Sequence, residues 1–390
     1  MKFLRRPLCL YSSLTDMDNT LGLYLHIPFC IKKCNYCNFY SDKDNSLKDA
    51  YIKMLIKDNQ KWGEKLSSKS VDTVFFGGGT PSVIGERAIV LLLNEIRRCF
   101  KVADGAEITV ECNPESSDLS FFKSLKKNGV NRVSIGVQSF NNSELLALGR
   151  AHSAEQAERA VNSAREAGFD NINIDLMFAL PEQSMDSLKY SLSKTVSLPV
   201  THISAYALKI EKGTPFYIQR KSLELPDEDA EFEQYKAICD TVKEYIFTHY
   251  EISNFAKEGY ECRHNLKYWK LKDYLGLGVS AHSFIDGKRF YFKSDTLAYT
   301  QGLLKPVCEK TDGITEYIML SLRINEGMSF NRISALCGSK IAERMREQAN
   351  IFCKSDFGEF KAESFYLNKK GFFVSNAIIG KFADIAAIKS

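Results

Sequence analysis

The sequence predicts an α/β protein: a partial barrel of six parallel β/α units, followed by a small domain of helices and a hairpin. Between residues 23 and 255, short β-branched or aromatic runs alternate with longer amphipathic stretches, which is the pattern of repeated β/α units. Six units are fewer than the eight that close a full barrel, so we expect one open side. After about residue 290 this rhythm ends, which indicates a second domain.

Seven segments have the composition of strands, and six longer segments between them have the periodicity of helices. The predicted strands lie at 23–27, 71–76, 106–112, 132–138, 171–178, 202–208 and 250–255. The predicted helices lie at 46–62, 86–99, 118–127, 153–167, 184–196 and 227–246. Asp118 and Ser153 are suitable N-caps for two of these helices. Polar residues near the predicted strand ends indicate one ligand site, because ligands of parallel α/β folds bind at the carboxyl ends of strands.

The carboxyl-terminal segment has the composition of a small winged-helix-like module. Residues 314–338 combine helical periodicity with a glycine turn, and residues 363–385 predict a hairpin turning at Lys369-Lys370-Gly371 and then a helix. Such modules bind DNA or pack on a neighbouring domain as a lid. We expect the second arrangement here.

The composition is that of a globular protein in a reducing compartment. The chain has 390 residues, of which 44% are hydrophobic and 26% charged, and a formal net charge of +4. Its odd number of cysteines, 11, argues against a secreted disulfide framework. No apolar run reaches the roughly 18 to 20 residues of a membrane span. We therefore expect a cytoplasmic protein, and the weak charge gives no reason to expect nucleic acid as a partner.

The first 20 residues form a predicted extension with three interpretations. Lys2, Arg5 and Arg6, without an acid before Asp16, are typical of a cleavable leader, which would make the protein mitochondrial. A start at Met17 would lead directly into the first strand. The third interpretation is a short disordered arm.

Three cysteines, Cys30, Cys34 and Cys37, lie within eight residues after the first predicted strand. The spacing C-x3-C-x2-C lets three sulfurs converge, whereas a structural zinc site or an ordinary four-iron cluster takes four protein ligands. One coordination position is left for another ligand. The alternatives are a zinc site completed by His26 or a distant residue, and chance clustering; His26 itself is better explained as a residue that orients the loop.

Together with further motifs, this spacing resembles the radical S-adenosylmethionine (SAM) superfamily. The motifs are LYLHIPFC (23–30), FFGGGTPS (75–82), ECNPE (111–115), SIGVQSF (134–140), LGRAH (148–152) and NIDLMFALP (173–181). They are similar to the branch that contains oxygen-independent coproporphyrinogen III dehydrogenases and HemW-type haem chaperones, over nearly all of the chain from residue 21. The resemblance implies a radical SAM barrel with one 4Fe-4S cluster, whose open iron takes the amino and carboxylate groups of SAM.

The resemblance also implies a set of SAM-contacting residues. Glycines let backbone groups approach a small polar ligand, acids accept hydrogen bonds from ammonium and hydroxyl groups, and arginine forks onto a carboxylate. A rim salt bridge or a helix cap explains any one of Glu111, Gln138, Arg150 and Asp175 equally well when it is taken alone. The predicted contacts are Tyr24, Tyr36, Gly78, Gly79, Thr80, Glu111, Gln138, Arg150 and Asp175.

Three features favour the chaperones over the dehydrogenases. The dehydrogenases carry a further cysteine two residues after the last cluster ligand, where this chain has Phe39. The segment CRHNLKYWK resembles the H-N-x-x-Y-W motif associated with haem binding, through His264, Asn265, Tyr268 and Trp269. Imidazole is a common haem ligand, and flat aromatic rings cover a porphyrin face. The amino-terminal segment is also shorter than is usual in the dehydrogenases.

The sequence therefore predicts a HemW-type chaperone that binds haem, a 4Fe-4S cluster and SAM, and transfers haem to an acceptor protein. Its expected electron donor is a flavodoxin or ferredoxin, and peripheral membrane association is left open. The alternatives are a coproporphyrinogen dehydrogenase of porphyrin biosynthesis and a radical nucleic-acid-modifying enzyme. The predicted domains are the extension (1–20), a radical SAM core (21–255), a connecting segment with the haem motif (256–290) and a carboxyl-terminal domain (291–390).

Overall fold

A computed structural model of the chain describes residues 19–42, 44–310 and 312–387. Of the predicted extension (1–20), residues 1–18 lie outside this range, so its three interpretations stay predictions. No helix in the described ranges is both long and apolar enough to cross a membrane.

Six parallel strands in chain order form the centre of one curved sheet, and each pairs with the next. This confirms the partial barrel and the first six of the seven predicted strands. The strands are β1 (Thr20–Ile27), β2 (Ser70–Gly78), β3 (Lys101–Cys112), β4 (Arg132–Gln138), β5 (Asn171–Phe178) and β6 (His202–Ala207).

Helices follow the strands as predicted, and their first turns explain where they begin. The Asp118 carboxylate accepts a hydrogen bond from the backbone N–H of Phe121, and Ser153 forms a capping box with Gln156. The helices of this region are α1 (Lys48–Lys65), α2 (Glu86–Cys99), α3 (Leu119–Lys127), α4 (Asn142–Ala147), α5 (Ala154–Glu166), α6 (Met185–Ser197), α7 (Pro215–Gln219) and α8 (Glu228–Glu244).

Alternate side chains of the strands face opposite sides of the sheet. Along β1, Leu21, Leu23 and Leu25 are fully buried in the core shared with the helices. Gly22 faces the other side, where an added Cβ would lie 3.0 Å from Thr73 Oγ1 and 3.2 Å from His264 Cε1. We call this concave side the lumen of the barrel.

Both edges of the barrel sheet are extended by short strands. The prediction of a single strand over 250–255 is wrong, because the chain turns at Ile252-Ser253 and makes a hairpin beside β6. At the other edge one strand runs parallel to β1 and three more continue antiparallel. The elements are β7 (Thr248–Glu251), β8 (Asn254–Ala256), α9 (Arg263–Trp269), β9 (Tyr274–Leu277), β10 (His282–Ile285), β11 (Lys288–Tyr291), α10 (Thr296–Thr300) and β12 (Val307–Glu309).

The carboxyl-terminal module has the predicted winged-helix-like form, but its hairpin lies elsewhere. The turn falls at Ala362-Glu363, whereas Lys369–Phe373 is a helix whose N-cap, Asn368, accepts from the Gly371 backbone N–H. The predicted turn at Lys369-Lys370-Gly371 is therefore wrong. The elements are α11 (Gly313–Ser321), β13 (Met328–Ser329), α12 (Phe330–Cys337), α13 (Ser339–Lys354), β14 (Gly358–Lys361), β15 (Ser364–Leu367), α14 (Lys369–Phe373) and α15 (Ser375–Ala387).

The module packs against the barrel beside its open edge. The Ile252 backbone N–H donates to the Arg323 carbonyl oxygen at 2.9 Å, and the Phe232 and Phe373 ring centroids lie 5.1 Å apart. Loop and helix residues of the module thereby reach the carboxyl end of the barrel, as a lid would. The predicted domain boundaries stay a prediction, since strands β9 to β12 share the barrel sheet.

Candidate functional site

A cavity of about 740 Å³ opens at the carboxyl ends of the barrel strands. Its walls come from the cysteine loop, from strands β2 to β6 and from the carboxyl-terminal module. The structure thus brings together the residues predicted for the cluster and for SAM, with one exception, Tyr24. Those that line the cavity are Cys30, Cys34, Tyr36, Cys37, Gly78, Gly79, Thr80, Glu111, Gln138, Arg150 and Asp175.

The cysteine loop is fixed to the barrel through Asn35. Its backbone N–H donates to the Leu148 carbonyl oxygen at 3.0 Å, and its side chain donates to the Ala147 carbonyl oxygen at 2.8 Å. The Cys30 sulfur lies 3.6 Å from Thr80 Oγ1. Burial raises the pKa values of the Cys30 and Cys37 thiols, so these sulfurs are protonated at neutral pH unless a cation binds them.

Three thiols on one cavity wall fit a four-iron cluster. Within the described ranges, no three Cys, His, Asp or Glu side chains converge tightly enough to hold a single metal ion. In a four-iron cluster each thiolate binds a different iron, so the sulfurs stand further apart than the ligands of one ion. Cys30, Cys34 and Cys37 line the same cavity.

Arg150 joins the cysteine loop to the barrel wall. Its Nη1 donates to the Cys34 sulfur at 3.4 Å, and its Nη2 donates to the Gly136 carbonyl oxygen at 2.8 Å and to Asn113 Oδ1 at 2.9 Å. The fork of the guanidinium thus holds protein atoms here, although it was predicted for a ligand carboxylate. Its Nε is buried at the cavity without a hydrogen-bond partner.

The glycine motif, residues 77–79, leaves no space for side chains. A Cβ on Gly78, whose φ is +115°, would lie 2.6 Å from the His26 ring, and one on Gly79 would lie 2.8 Å from the Phe29 carbonyl oxygen. The backbone N–H groups of Gly79 and Thr80 donate to the Ile27 and Phe29 carbonyl oxygens. These glycines therefore dock the cysteine loop onto β2, in addition to forming the cavity wall.

Two carboxylates, Glu111 and Asp175, lie at the floor of the cavity. Burial, together with the negative charge of Asp175, raises the pKa of Glu111 to about 8, and the Gly78 N–H donates to Glu111 at 3.1 Å. Burial also raises the pKa of Asp175, which accepts from Asn173 Nδ2 at 2.6 Å. A cationic ligand would favour the ionised form of both carboxylates, because it would add positive charge beside them.

Gln138 ends β4 in a conformation that L-residues rarely adopt. Its φ is +69°, its side chain is buried, and the strand pairing shifts at this point. Such backbone strain is typical of functional sites, where it aims a side chain. Here it places the amide at the cavity wall.

The two predicted tyrosines occupy different layers. Tyr36 packs against Leu148, Met177 and Phe216 and lines the cavity. Tyr24 lies one layer below the floor, where its hydroxyl oxygen is 3.0 Å from His26 Nδ1. Tyr24 therefore does not line the cavity itself, and neighbouring residues lie between the two.

The H-N-x-x-Y-W motif forms α9, which lies inside the lumen. His264 is 1% exposed, and its Nδ1 and Nε2 are each 2.8 Å from a hydroxyl oxygen, of Thr73 and of Tyr268 respectively. Burial lowers the pKa of His264 to about 3, so the imidazole is neutral. Trp269 lies at the other end of the helix, 6.0 Å from the Arg323 guanidinium, and Asn265 is half-buried. The four residues therefore do not form one open binding face.

Comparison with known proteins identifies the family. The model of the radical SAM superfamily matches residues 24–194. The haem chaperone HemW of Bacillus subtilis is 33% identical over 372 residues, which cover 92% of this chain and 98% of that protein. HemW of Escherichia coli is 35% identical over 342 residues, which cover 84% of this chain and 89% of that protein. This chain belongs to the HemW family.

A solved structure supports the fold of this HemW-family chain. Coproporphyrinogen III oxidase (HemN) from Escherichia coli, a radical SAM enzyme, matches with a TM-score of 0.80 and 23% identity, over 96% of this chain and 92% of that one. The similarity covers the barrel and the carboxyl-terminal module together. It confirms the predicted fold class, a radical SAM barrel with a small winged-helix-like domain.

Several residues at this HemW-family site were not predicted. Asn113 accepts from Arg150 and donates to Thr80 Oγ1 at 3.2 Å, which links two predicted residues; its place in ECNPE was the available signal. Arg323, Phe372 and Phe373 line the cavity from the carboxyl-terminal module. No sequence motif pointed to these three, because only the packing of the module brings them there.

Proposed function

We propose that this HemW-family protein is a haem chaperone that carries one 4Fe-4S cluster and SAM in the cavity and transfers haem to an acceptor protein. The observation that supports this most directly is the shared cavity of the three cysteines and the eight predicted SAM residues. The named relatives add support, since they are haem chaperones.

The cavity residues suit the binding of SAM in distinct ways. Glu111 and Asp175 supply negative charge for a cationic ligand, and the Gln138 amide supplies a donor and an acceptor. Cys30, Cys34 and Cys37 would hold the cluster. When reduced and bound together, such a cluster and SAM supply radical chemistry.

The carboxyl-terminal module supplies part of the cavity wall. Phe372 and Phe373 of this module contribute apolar rings to it. The neighbouring Arg323 places a positive charge at the same wall, which suits a ligand carboxylate. A flavodoxin or ferredoxin is the electron donor in this proposal, and the cytoplasm is its location.

The alternative function, coproporphyrinogen dehydrogenase, would need a reacting group where the dehydrogenases carry a cysteine. Phe39 occupies that position with 69% of its surface exposed, and it lines the cavity mouth. A phenyl ring can take part in neither acid-base nor thiol chemistry. This departure favours the chaperone.

The proposed haem site at residues 264–269 has a structural requirement. Both nitrogens of the His264 imidazole are engaged by hydroxyl groups inside the lumen. Ligation of haem iron by His264 therefore requires α9 to leave the lumen. We expect His264→Ala to change the haem absorption band without changing the cluster content; an unchanged band would place the haem elsewhere.

One anaerobic preparation tests both functions. Protein reconstituted with iron and sulfide is divided between a haem-transfer assay with a haem-depleted acceptor and incubation with reductant, SAM and coproporphyrinogen. The proposal predicts haem transfer and no decarboxylated porphyrinogen. Formation of the decarboxylated product would replace the chaperone with the dehydrogenase.

A further inference from the structure

Helix α9 is held in the lumen at both of its ends. The Glu107 carboxylate accepts from the backbone N–H groups of Arg263 and His264, each at 3.0 Å. At the opposite end, Lys267 Nζ lies 2.8 Å from Asp72 Oδ1 and 3.0 Å from Thr20 Oγ1. These contacts fix α9 against strands β1, β2 and β3, so its side chains have defined positions beneath the cavity.

His264 lies directly under the layer that supports the cavity floor. Its ring stacks on Phe75 with a centroid separation of 5.2 Å and on Tyr24 with one of 6.4 Å. Those two rings in turn contact Gly77, since a Cβ there would lie 2.9 Å from Phe75 Cε1 and 3.0 Å from Tyr24 Cε2. The same Cβ would lie 3.1 Å from Glu111 Oε2. The contacts are therefore continuous from α9 to a carboxylate of the cavity floor.

We propose that His264 and Tyr268 are positioning residues for SAM. They support Tyr24 and Phe75 from below. These two rings in turn support Glu111 and the glycine motif. This inference rests on the proposal that the cavity binds SAM, and it concerns the haem-free state in which α9 lies in the lumen. The Tyr268 and Thr73 hydroxyls each bond one imidazole nitrogen, so together they fix the plane of the ring. Removing either leaves a buried nitrogen unpaired and frees the ring to rotate.

The variants Tyr268→Phe and Thr73→Val each remove one of these hydroxyls with little change of volume. Tyr274→Phe is the matched control: its ring packs edge-on against Tyr268 at 4.5 Å, but its hydroxyl accepts from Arg289 Nη1 at 2.8 Å, outside the imidazole contacts. Each protein is loaded with the cluster anaerobically and reduced. SAM is then titrated while the electron paramagnetic resonance spectrum of the cluster is recorded.

We expect Tyr268→Phe and Thr73→Val to raise the Kd for SAM about tenfold at unchanged cluster content, with a modest fall in Tm from the unpaired imidazole nitrogen, and Tyr274→Phe to bind SAM with an affinity near that of wild type. Wild-type affinity in both lumen variants would overturn the inference, and so would equal weakening in all three. A cluster-loaded wild-type protein whose spectrum does not respond to SAM would overturn the proposed function itself. This failure of the proposed function is distinguishable from a failure of the inference, because it appears in the wild-type protein before any variant is compared.

Discussion

The substitution Glu111→Gln removes an ionisable carboxyl group from the cavity floor while keeping the shape of the side chain. The pKa of Glu111 is about 8, against an ordinary value of 4.5, so the folded protein holds this proton more tightly than the unfolded chain does. The favourable contribution of the protonated carboxyl is fully present below pH 4.5 and is lost as the pH rises through about 8. The metal-free wild-type protein should therefore lose stability over this pH range.

The size of this loss follows from the two pKa values. Their difference corresponds to roughly 5 kcal/mol at 1.36 kcal/mol per pKa unit. Because Glu111 borders the cavity and keeps part of its surface accessible, solvent screening reduces this to roughly 3 kcal/mol. Glutamine carries no charge at any pH. We therefore expect Glu111→Gln to be more stable than wild type by roughly 3 kcal/mol at pH 9 and nearly equal to it at pH 5.

Urea unfolding of the metal-free proteins at these two pH values measures the difference. Glu155→Gln, an exposed carboxylate on α5, serves as the control and should show no such pH dependence. The cluster-loaded Glu111→Gln protein should also bind SAM at least tenfold more weakly, since a charged hydrogen bond contributes roughly 1.5–3 kcal/mol. A variant that follows wild type at both pH values, or that binds SAM with wild-type affinity, would refute this reasoning.

Three further substitutions test other parts of the site. Cys34→Ala should abolish the visible absorbance of the reconstituted cluster, because two thiolates rarely retain it; retained absorbance would exclude Cys34 as a ligand. Gln138→Gly should keep the free energy of unfolding within about 1 kcal/mol of the wild-type value, because glycine tolerates a φ of +69°. The same variant should bind SAM more weakly, and an unchanged SAM affinity would contradict the role of the amide. Arg150→Lys should destabilise the metal-free protein by about 1–3 kcal/mol in urea unfolding. The reason is that an ammonium group cannot replace the guanidinium fork that joins Cys34, Gly136 and Asn113. Wild-type stability would show that the fork is dispensable.

The barrel could be predicted because each of its elements has a strong local signal. The strands are β-branched runs, and caps such as Asp118 and Ser153 mark where helices begin. The location of the ligand site could also be predicted, because residues at the carboxyl ends of parallel strands meet at one edge of the sheet. Glu111, Gln138 and Asp175 come from three different strands and meet at one cavity.

The errors arose where the local signal was weak or misleading. The chain reverses at Ile252-Ser253 and at Ala362-Glu363 without a glycine, whereas Lys369-Lys370-Gly371 has a turn-like composition but begins a helix. The position of α9 inside the lumen also could not be predicted from the sequence. Its motif identifies residues 264–269 but not the partners of His264, which come from β2 and from the next turn of the same helix.

We propose above that three cysteines hold a four-iron cluster whose remaining iron binds SAM. Mössbauer spectroscopy of protein reconstituted anaerobically with isotopically enriched iron, before and after the addition of SAM, tests it most directly. We expect a four-iron cluster in which the Mössbauer parameters of one iron change when SAM binds. A preparation that takes up only zinc, or a cluster in which no iron responds to SAM, would contradict it.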